Sequence, residues 1–183
     1  HGGEDGGTIG IHTRVKEADI NLPIAFYLKE CFESTGAQVV LTRKSSEALC
    51  GSRKYNKQQD MAERARIISM AQPIIVISIH CNSYPATSVH GAQTFYYPDS
   101  EEGLKLATSI QNSLVEMVDP ANKRISKEAD FFMLRNGNST NVMVECGFLS
   151  SPSEEALLIT EEYQRKLACA IFDGAARYLN IKE

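Results

Sequence analysis

What this chain lacks narrows its function before any motif is read. No apolar run approaches the roughly 20 residues needed to cross a bilayer; the most hydrophobic stretch, Pro73 to Ile79, has the length of a strand. No basic excess is present: the formal charge is −4 over 183 residues, which argues against a nucleic-acid-binding domain, since that would carry a cationic face for phosphates. No close CxxC pair occurs among Cys31, Cys50, Cys81, Cys146 and Cys169. That odd, scattered set fits neither a disulfide framework nor a structural zinc knuckle, and leaves most of them as small buried apolar residues. No Gly, Pro or Ser tract is long enough to suggest disorder. The chain opens on His1 with no initiator Met and no signal peptide. It reads as the remainder of something longer, so neither cysteine nor a leader reveals a compartment.

What is present is the alternation of an α/β protein, with enough residues for one domain to bury a core unaided. His1 to Arg14, rich in Gly and polar residues, reads as a loop. From Glu17 to Ser34, Ile20, Ile24, Leu28, Cys31 and Phe32 recur at helical spacing; Pro23 falls near the first turn and Gly36 suits a left-handed cap. Gln38 to Thr42 reads as a short buried strand. Lys44 to Gln59 is a polar loop, and a second helix is expected from an Asp60 cap to about Met70. Ile74 to His80 is a continuous apolar run, the pattern of a central strand, and Gly91 to Tyr97 is a further strand. Ser100 to Val118 carries a strong amphipathic stripe. Phe131 to Leu134 and Val142 to Cys146 read as two more strands. A short helix capped by Ser153 runs through Ile159, and a final one covers Glu161 to Leu179 with an acidic first turn. There is no repeat and no shift in composition.

Four titratable residues stand out by position. His1 opens the Gly-rich loop, Glu17 starts the first helix, His80 ends the most hydrophobic strand and Glu145 closes the Val142–Val144 run. Such groups at the ends of buried strands are costly unless compensated, and in open α/β sheets ligands gather outside the carboxyl ends of strands. Two imidazoles and one carboxylate make the protein shell of many catalytic zinc sites, with the fourth position left to water. A second, non-ligating carboxylate can then move protons between that water and a leaving nitrogen. Spacing alone does not separate this from structural histidines and helix-terminal acids.

The segments H-G-G-E-D-G-G (His1 to Gly7), K-E-A-D-I-N-L (Lys16 to Leu22), V-V-L-T-R (Val39 to Arg43), S-I-H-C-N-S (Ser78 to Ser83) and V-E-C-G-F-L-S (Val144 to Ser150) do separate them. In order and across nearly the whole chain, they resemble the N-acetylmuramoyl-L-alanine amidases of the zinc-dependent amidase-3 family. G-A-Q-T-F-Y-Y (Gly91 to Tyr97) is similar to the germination-specific branch that acts on spore cortex. The resemblance implies a single catalytic domain over residues 1–183, a twisted mixed sheet with helices on both faces, Zn2+ on His1, Glu17 and His80, and Glu145 as the catalytic carboxylate. It implies hydrolysis of the amide between N-acetylmuramic acid and L-alanine in peptidoglycan stem peptides, feeding muramic-lactam formation in the cortex. The place of action would be extracytoplasmic, in the wall or the forespore intermembrane space. The family puts a strand and an Asp-Pro-Gly turn before its first histidine; this sequence has neither, which would leave His1 poorly anchored if nothing else held it.

Arg43, Asn82 and Arg135 are candidate substrate contacts, the arginines because stem peptides are acidic. His12 and His90 read as solvated loop residues, and Tyr96 and Tyr97 as plain strand residues. The N-terminal glycines are not a phosphate loop, lacking the Gly-Lys-Ser/Thr ending. Neither Arg43–Gln59 nor Asn122–Asp130 shows a helix to cover a metal, so an open cleft is expected, with control left to timing or an accessory regulatory protein. Two competing readings are a cysteine-dependent wall hydrolase using Cys81 or Cys146, and a non-catalytic peptidoglycan-binding or interaction module on the same scaffold.

Overall fold

The structure is a computed structural model and describes residues 1–50, 55–135 and 138–181. The α/β expectation is met by five helices and a four-stranded sheet. Helix α1 spans Glu17–Ser34, α2 Lys57–Ala71, α3 Glu101–Met117, α4 Pro152–Leu158 and α5 Glu161–Leu179. Strand β1 is Ile75–Asn82, β2 Gln93–Tyr96, β3 Lys127–Glu128 and β4 Thr140–Phe148. The sheet order is β1-β4-β2-β3. β1 and β4 run parallel, β2 lies antiparallel to β4, and β3 runs parallel to β2, so the sheet is mixed.

Side-chain alternation divides the sheet into two chemistries. Along β4, Val142, Val144 and Cys146 are fully buried in the same core as Ile20, Ile24, Leu106, Ile110, Leu167 and Ile171. Helix α5 lies between α1 and α3 and packs on both; α1 meets β1, and α3 meets β2 and β4. Met143 and Glu145, one residue out of step, turn to the opposite side. Along the free edge of β1, an apolar trough of about 1130 Å³ runs between that strand, with Ile75, Ile77 and Ile79 of its core face and Val76 and Ser78 of the other, and Val39, Leu41 and Ile68.

Beside that trough one expected strand does not form. Residues 38–42 have no ladder; they line the trough opposite β1, whose registered partner is β4 alone. The Phe131–Leu134 expectation also fails. Phe132–Leu134 is a 3-10 turn with Phe131 and Phe132 exposed and Met133 and Leu134 buried, two consecutive pairs where a strand needs alternation. The sheet edge is taken instead by β3, two exposed charged residues that no hydrophobic pattern could announce. Helix α2 starts four residues earlier than expected, capped by Asn56, whose side chain accepts from the Gln59 N–H. Asp60 is not a cap; it is buried and ion-paired with Arg64 at 2.8 Å. Helix α4 starts after Ser151, two residues ahead of the expected Ser153. Strands β1 and β4 both run beyond their expected ends, so His80 and Glu145 lie inside strands.

At the α3–α5 contact the helices touch backbone to backbone at Gly174, where a Cβ would meet the Ile110 nitrogen at 2.8 Å and the Ser109 carbonyl at 2.8 Å. Gly174→Ala is expected to cost about 1–3 kcal/mol, the usual penalty for overpacking, and to lower the urea midpoint without changing its slope. An unchanged midpoint would mean the helices separate freely at this point.

Candidate metal centre

Three segments distant in sequence converge at the N-terminus of α1. Glu17, only 2% exposed, sits in the first helical turn, where the helix dipole favours an anion. Its Oε1 lies 2.8 Å from His80 Nδ1 and accepts from the Cys81 N–H (3.1 Å) and from Asn21 Nδ2, one turn along the helix (3.1 Å). Its Oε2 accepts from the Thr8 N–H at 2.8 Å and lies 3.3 Å from His1 Nε2. The His1 and His80 rings stand edge to face, 5.1 Å between centroids. One ligand atom from each of His1, Glu17 and His80 lies within 4.8 Å of the others, and among the described residues no fourth His, Cys, Asp or Glu joins this cluster.

The loop carrying His1 is shaped around that cluster. Gly7 has φ +70°, and a Cβ there would meet the His1 ring at 2.7 Å as well as the Glu17 carboxylate, so only glycine lets the loop pass. His1 Nδ1, closed off from solvent and without a conventional hydrogen bond, faces Asp5 Oδ2 at 3.0 Å. Asp5 in turn accepts from the Tyr55 hydroxyl (3.1 Å) and the Gly7 N–H (3.2 Å). From α2, Arg64 reaches the His1 carbonyl at 3.5 Å and Thr42 Oγ1 at 3.2 Å while its Nε holds Asp60. The poor anchoring foreseen for His1 is thus offset by contacts on both its ring and its carbonyl. Asp5, Asn21, Tyr55 and Arg64 were not singled out from sequence. For Asn21 a signal existed, the i, i+4 spacing from Glu17; for Tyr55 and Arg64, which arrive across loops, there was none.

Glu145 completes the site from the neighbouring strand. Its Cα is registered with His80 on one side and with Gln93 on the other, so it shares the face of the sheet that His80 presents. Its Oε2 is buried without a hydrogen-bond partner. Burial, and then the charge of Glu17, push its carboxyl up from 4.5 to about 8. At Glu17 burial pushes the same way but is outweighed by the hydrogen bond and charge of His80, the charge of His1 and the Thr8 N–H, so its carboxyl falls to about 2.

The remaining candidates are placed less centrally. Arg43 is buried, with its guanidinium on the Ala18 carbonyl (2.6 Å) and the Ser45 carbonyl (2.9 Å). Asn82 ends β1; its side chain accepts from the Ser83 N–H at 2.7 Å and its carbonyl from the Leu149 N–H at 2.9 Å. Arg135 is exposed and bound to Asp130. The structure does not bring these three into the cluster. His12 and His90 are both exposed.

Two imidazoles and a carboxylate gathered on one point make a donor set that could hold a metal ion, beside an unpartnered buried carboxyl on an α/β sheet. Comparison with known proteins gives this arrangement its family: residues 1–177 match the family described as N-acetylmuramoyl-L-alanine amidase, and the chain belongs to it. The germination-specific N-acetylmuramoyl-L-alanine amidase of Bacillus subtilis (strain 168) is 34% identical over 186 residues, covering 100% of this chain and 78% of that protein. The solved structure of the CwlD amidase from Clostridioides difficile, in complex with the GerS lipoprotein, superposes with a TM-score of 0.95 at 37% identity, covering 100% of this chain and 95% of that one. A second amidase structure, from Clostridium difficile 630, gives a TM-score of 0.87 at 32% identity, covering 100% of this chain and 94% of that one.

The raised carboxyl of Glu145 has a consequence for stability in the metal-free protein. Unfolded, the group titrates near 4.5; folded, near 8. Between those values the folded form holds a proton that the unfolded form has lost, so the contribution of this residue to stability falls as pH rises through that window. Glu145→Gln cannot titrate. Its stability relative to the parent, measured by urea unfolding without metal, should therefore grow from pH 5 to pH 8; a constant difference would show that Glu145 is not held protonated.

Proposed function

We propose that this chain is a zinc-dependent amidase that hydrolyses the bond between N-acetylmuramic acid and the L-alanine of the stem peptide, with His1, Glu17 and His80 holding the ion. The observation that carries the reading is the approach of these three donor atoms to within 4.8 Å of one another. The donor chemistry fits: two nitrogens and one carboxylate oxygen suit Zn2+ far better than Mg2+ or Ca2+, which prefer all-oxygen shells. Bound there, the ion would supply a water acidic enough to give hydroxide near neutral pH and would polarise the amide carbonyl.

The chain's own residues supply the rest. Glu17 fixes the spacing of both histidines, since each of its oxygens faces one ring. Asp5 holds His1 from behind through Nδ1, turning Nε2 inward; a carboxylate behind a ligating histidine sets its orientation and basicity. Glu145 Oε2, with no competing partner, is free to take a proton from the attacking water and deliver it to the nitrogen of the departing L-alanine. A neighbouring cation would draw its carboxyl down from about 8, towards the range where a base and an acid are both available at neutral pH.

The finer assignments rest on the relatives. The germination-specific relative supports a role in spore-cortex maturation and an extracytoplasmic site of action on glycan strands bearing stem peptides. The lipoprotein bound to the clostridial relative supports an accessory regulatory partner. No helix of the described residues is long and apolar enough to cross a membrane. The cysteine-hydrolase reading loses ground, because Cys81 and Cys146 are 2% and 0% exposed and burial pushes both thiols up, away from the thiolate a nucleophile needs.

Metal analysis beside peptide release from muropeptides tests the assignment. Glu17→Ala should lose bound zinc, whereas Glu145→Gln should keep it and lose cleavage by about 10²–10⁴-fold, the usual worth of a general acid–base group. A fully active Glu145→Gln would sink the mechanism, and a non-catalytic module would release no peptide in any form. Asp5→Asn should weaken zinc binding by about 10–100-fold, read by chelator competition, while leaving the unfolding midpoint of the metal-free protein in place. An unaltered zinc affinity would reduce Asp5 to a loop anchor.

A further inference from the structure

Outside the metal centre, the α1–α5 contact carries a second piece of chemistry. The two helices pack along their length and their contacts advance together. Arg165 lies over the Tyr27 ring at 3.9 Å and 3.7 Å from Glu30, and Phe32 meets Phe172 edge to face at 5.1 Å. The helices are therefore parallel, in a register that steps from 27 and 30 opposite 165 to 32 opposite 172. Between these contacts, one helical turn beyond Tyr27 and one turn beyond Arg165, stand Cys31 and Cys169. Positions four apart lie on one face of a helix, so the two thiols face each other across the seam. Cys31 is half-buried and Cys169 exposed. The Cys31 thiol is pushed up to about 11, first by burial and then by the neighbouring Cys169 sulfur.

We infer that Cys31 and Cys169 form a reversible disulfide that clamps α1 to α5. The contrast with the other facing thiols is access. Cys81 and Cys146 follow the registered pair His80 and Glu145 on adjacent strands, but both are sealed in the core. Only the α1–α5 pair has one sulfur open to a reagent and a second beside it to resolve the product.

The chemistry needs an external disulfide oxidant, of the glutathione-disulfide or protein thiol–disulfide class. The thiolate of exposed Cys169 attacks one sulfur of the oxidant, breaking its S–S bond and expelling one thiolate, which leaves a mixed disulfide on Cys169. Cys31, deprotonated, then attacks the Cys169 sulfur; the Cys31–Cys169 bond forms and the second thiolate leaves. Two electrons pass from the cysteine pair to the oxidant, and the two thiol protons go to solvent or to the released thiolates. The cross-link ties together residues 138 positions apart, a long loop whose closure limits the unfolded chain. It is anchored in the helix whose first turn carries Glu17, and it does not depend on the catalytic assignment.

The test is equilibration of the whole chain with a reduced/oxidised glutathione buffer, acid quench, alkylation and tryptic mapping. Expected is a joined pair of peptides, residues 30–43 with 167–177, 2 Da lighter than the sum of the two thiol peptides, with the thermal midpoint raised by about 5–10 °C and restored by dithiothreitol. Cys169→Ser, an exposed change, should abolish both the joined peptides and the shift while the reduced protein unfolds as before. Separate glutathione adducts on the two cysteines, or both remaining alkylatable in oxidising buffer, would overturn the inference, as would a midpoint shift that survives in Cys169→Ser.

Discussion

Everything at the working end of this molecule hangs on one buried carboxylate. Glu17 is 2% exposed, and an ionised carboxylate so placed is tolerable only if its oxygens are satisfied. They are, by groups from three separate stretches of chain: Thr8 and His1 from the N-terminal loop, Asn21 from its own helix, His80 and Cys81 from β1. The same contacts that make its burial affordable therefore fix the loop, the helix and the strand relative to one another. Removing this side chain would leave two imidazoles facing an empty space and three segments without their common acceptor.

Glu145 shows the opposite solution to the same problem, one strand away. It reaches the site from β4, beside His80 in register, yet finds no donor for Oε2. Two carboxylates in one pocket are driven apart, one down to about 2 and the other up to about 8, by what surrounds them and not by their chemistry. That divergence supports the roles proposed for them, the saturated group holding position and the unpartnered group exchanging a proton. The register of a parallel strand pair thus sets the separation between structure and chemistry.

The sheet and helices that build this were largely legible, and the exceptions have causes. The apolar runs of β1 and β4 and the stripes of α1, α3 and α5 encode burial directly, since their periods match their elements. Val39 to Thr42 carries the same β-branched signal, but a strand is a relation between two segments, and its side of β1 is a trough. Phe131 to Leu134 looked strand-like by composition while its burial runs in pairs. Among the site residues, His1, Glu17, His80 and Glu145 were identified from short motifs resembling a family; their spacing alone carried little. Tyr55 and Arg64 were illegible because each meets the His1 loop by a tertiary contact that no local pattern records.

The N-terminal loop makes the last point about how such a site is kept rigid. Residues 1–14 form no helix, and isolated bridges, Gly2 with Asp5 and Ile9 with Lys16, are all the sheet-like pairing they have. Their order comes from charged side chains on helices. Glu155 of α4, 1% exposed, takes the His12 and Thr13 N–H groups and the Thr13 hydroxyl at 2.6–3.0 Å through its closest contacts. Arg64 of α2 holds the His1 carbonyl, and Glu17 of α1 holds Thr8. The Glu155 and Glu17 contacts are charge-assisted hydrogen bonds, about twice as strong as neutral ones, and the Arg64 contact, at 3.5 Å, is the longest of the set. A loop pinned at its start, middle and end by three helices can be rich in glycine, and so fold closely around a metal-sized cluster, without being free to move away from it.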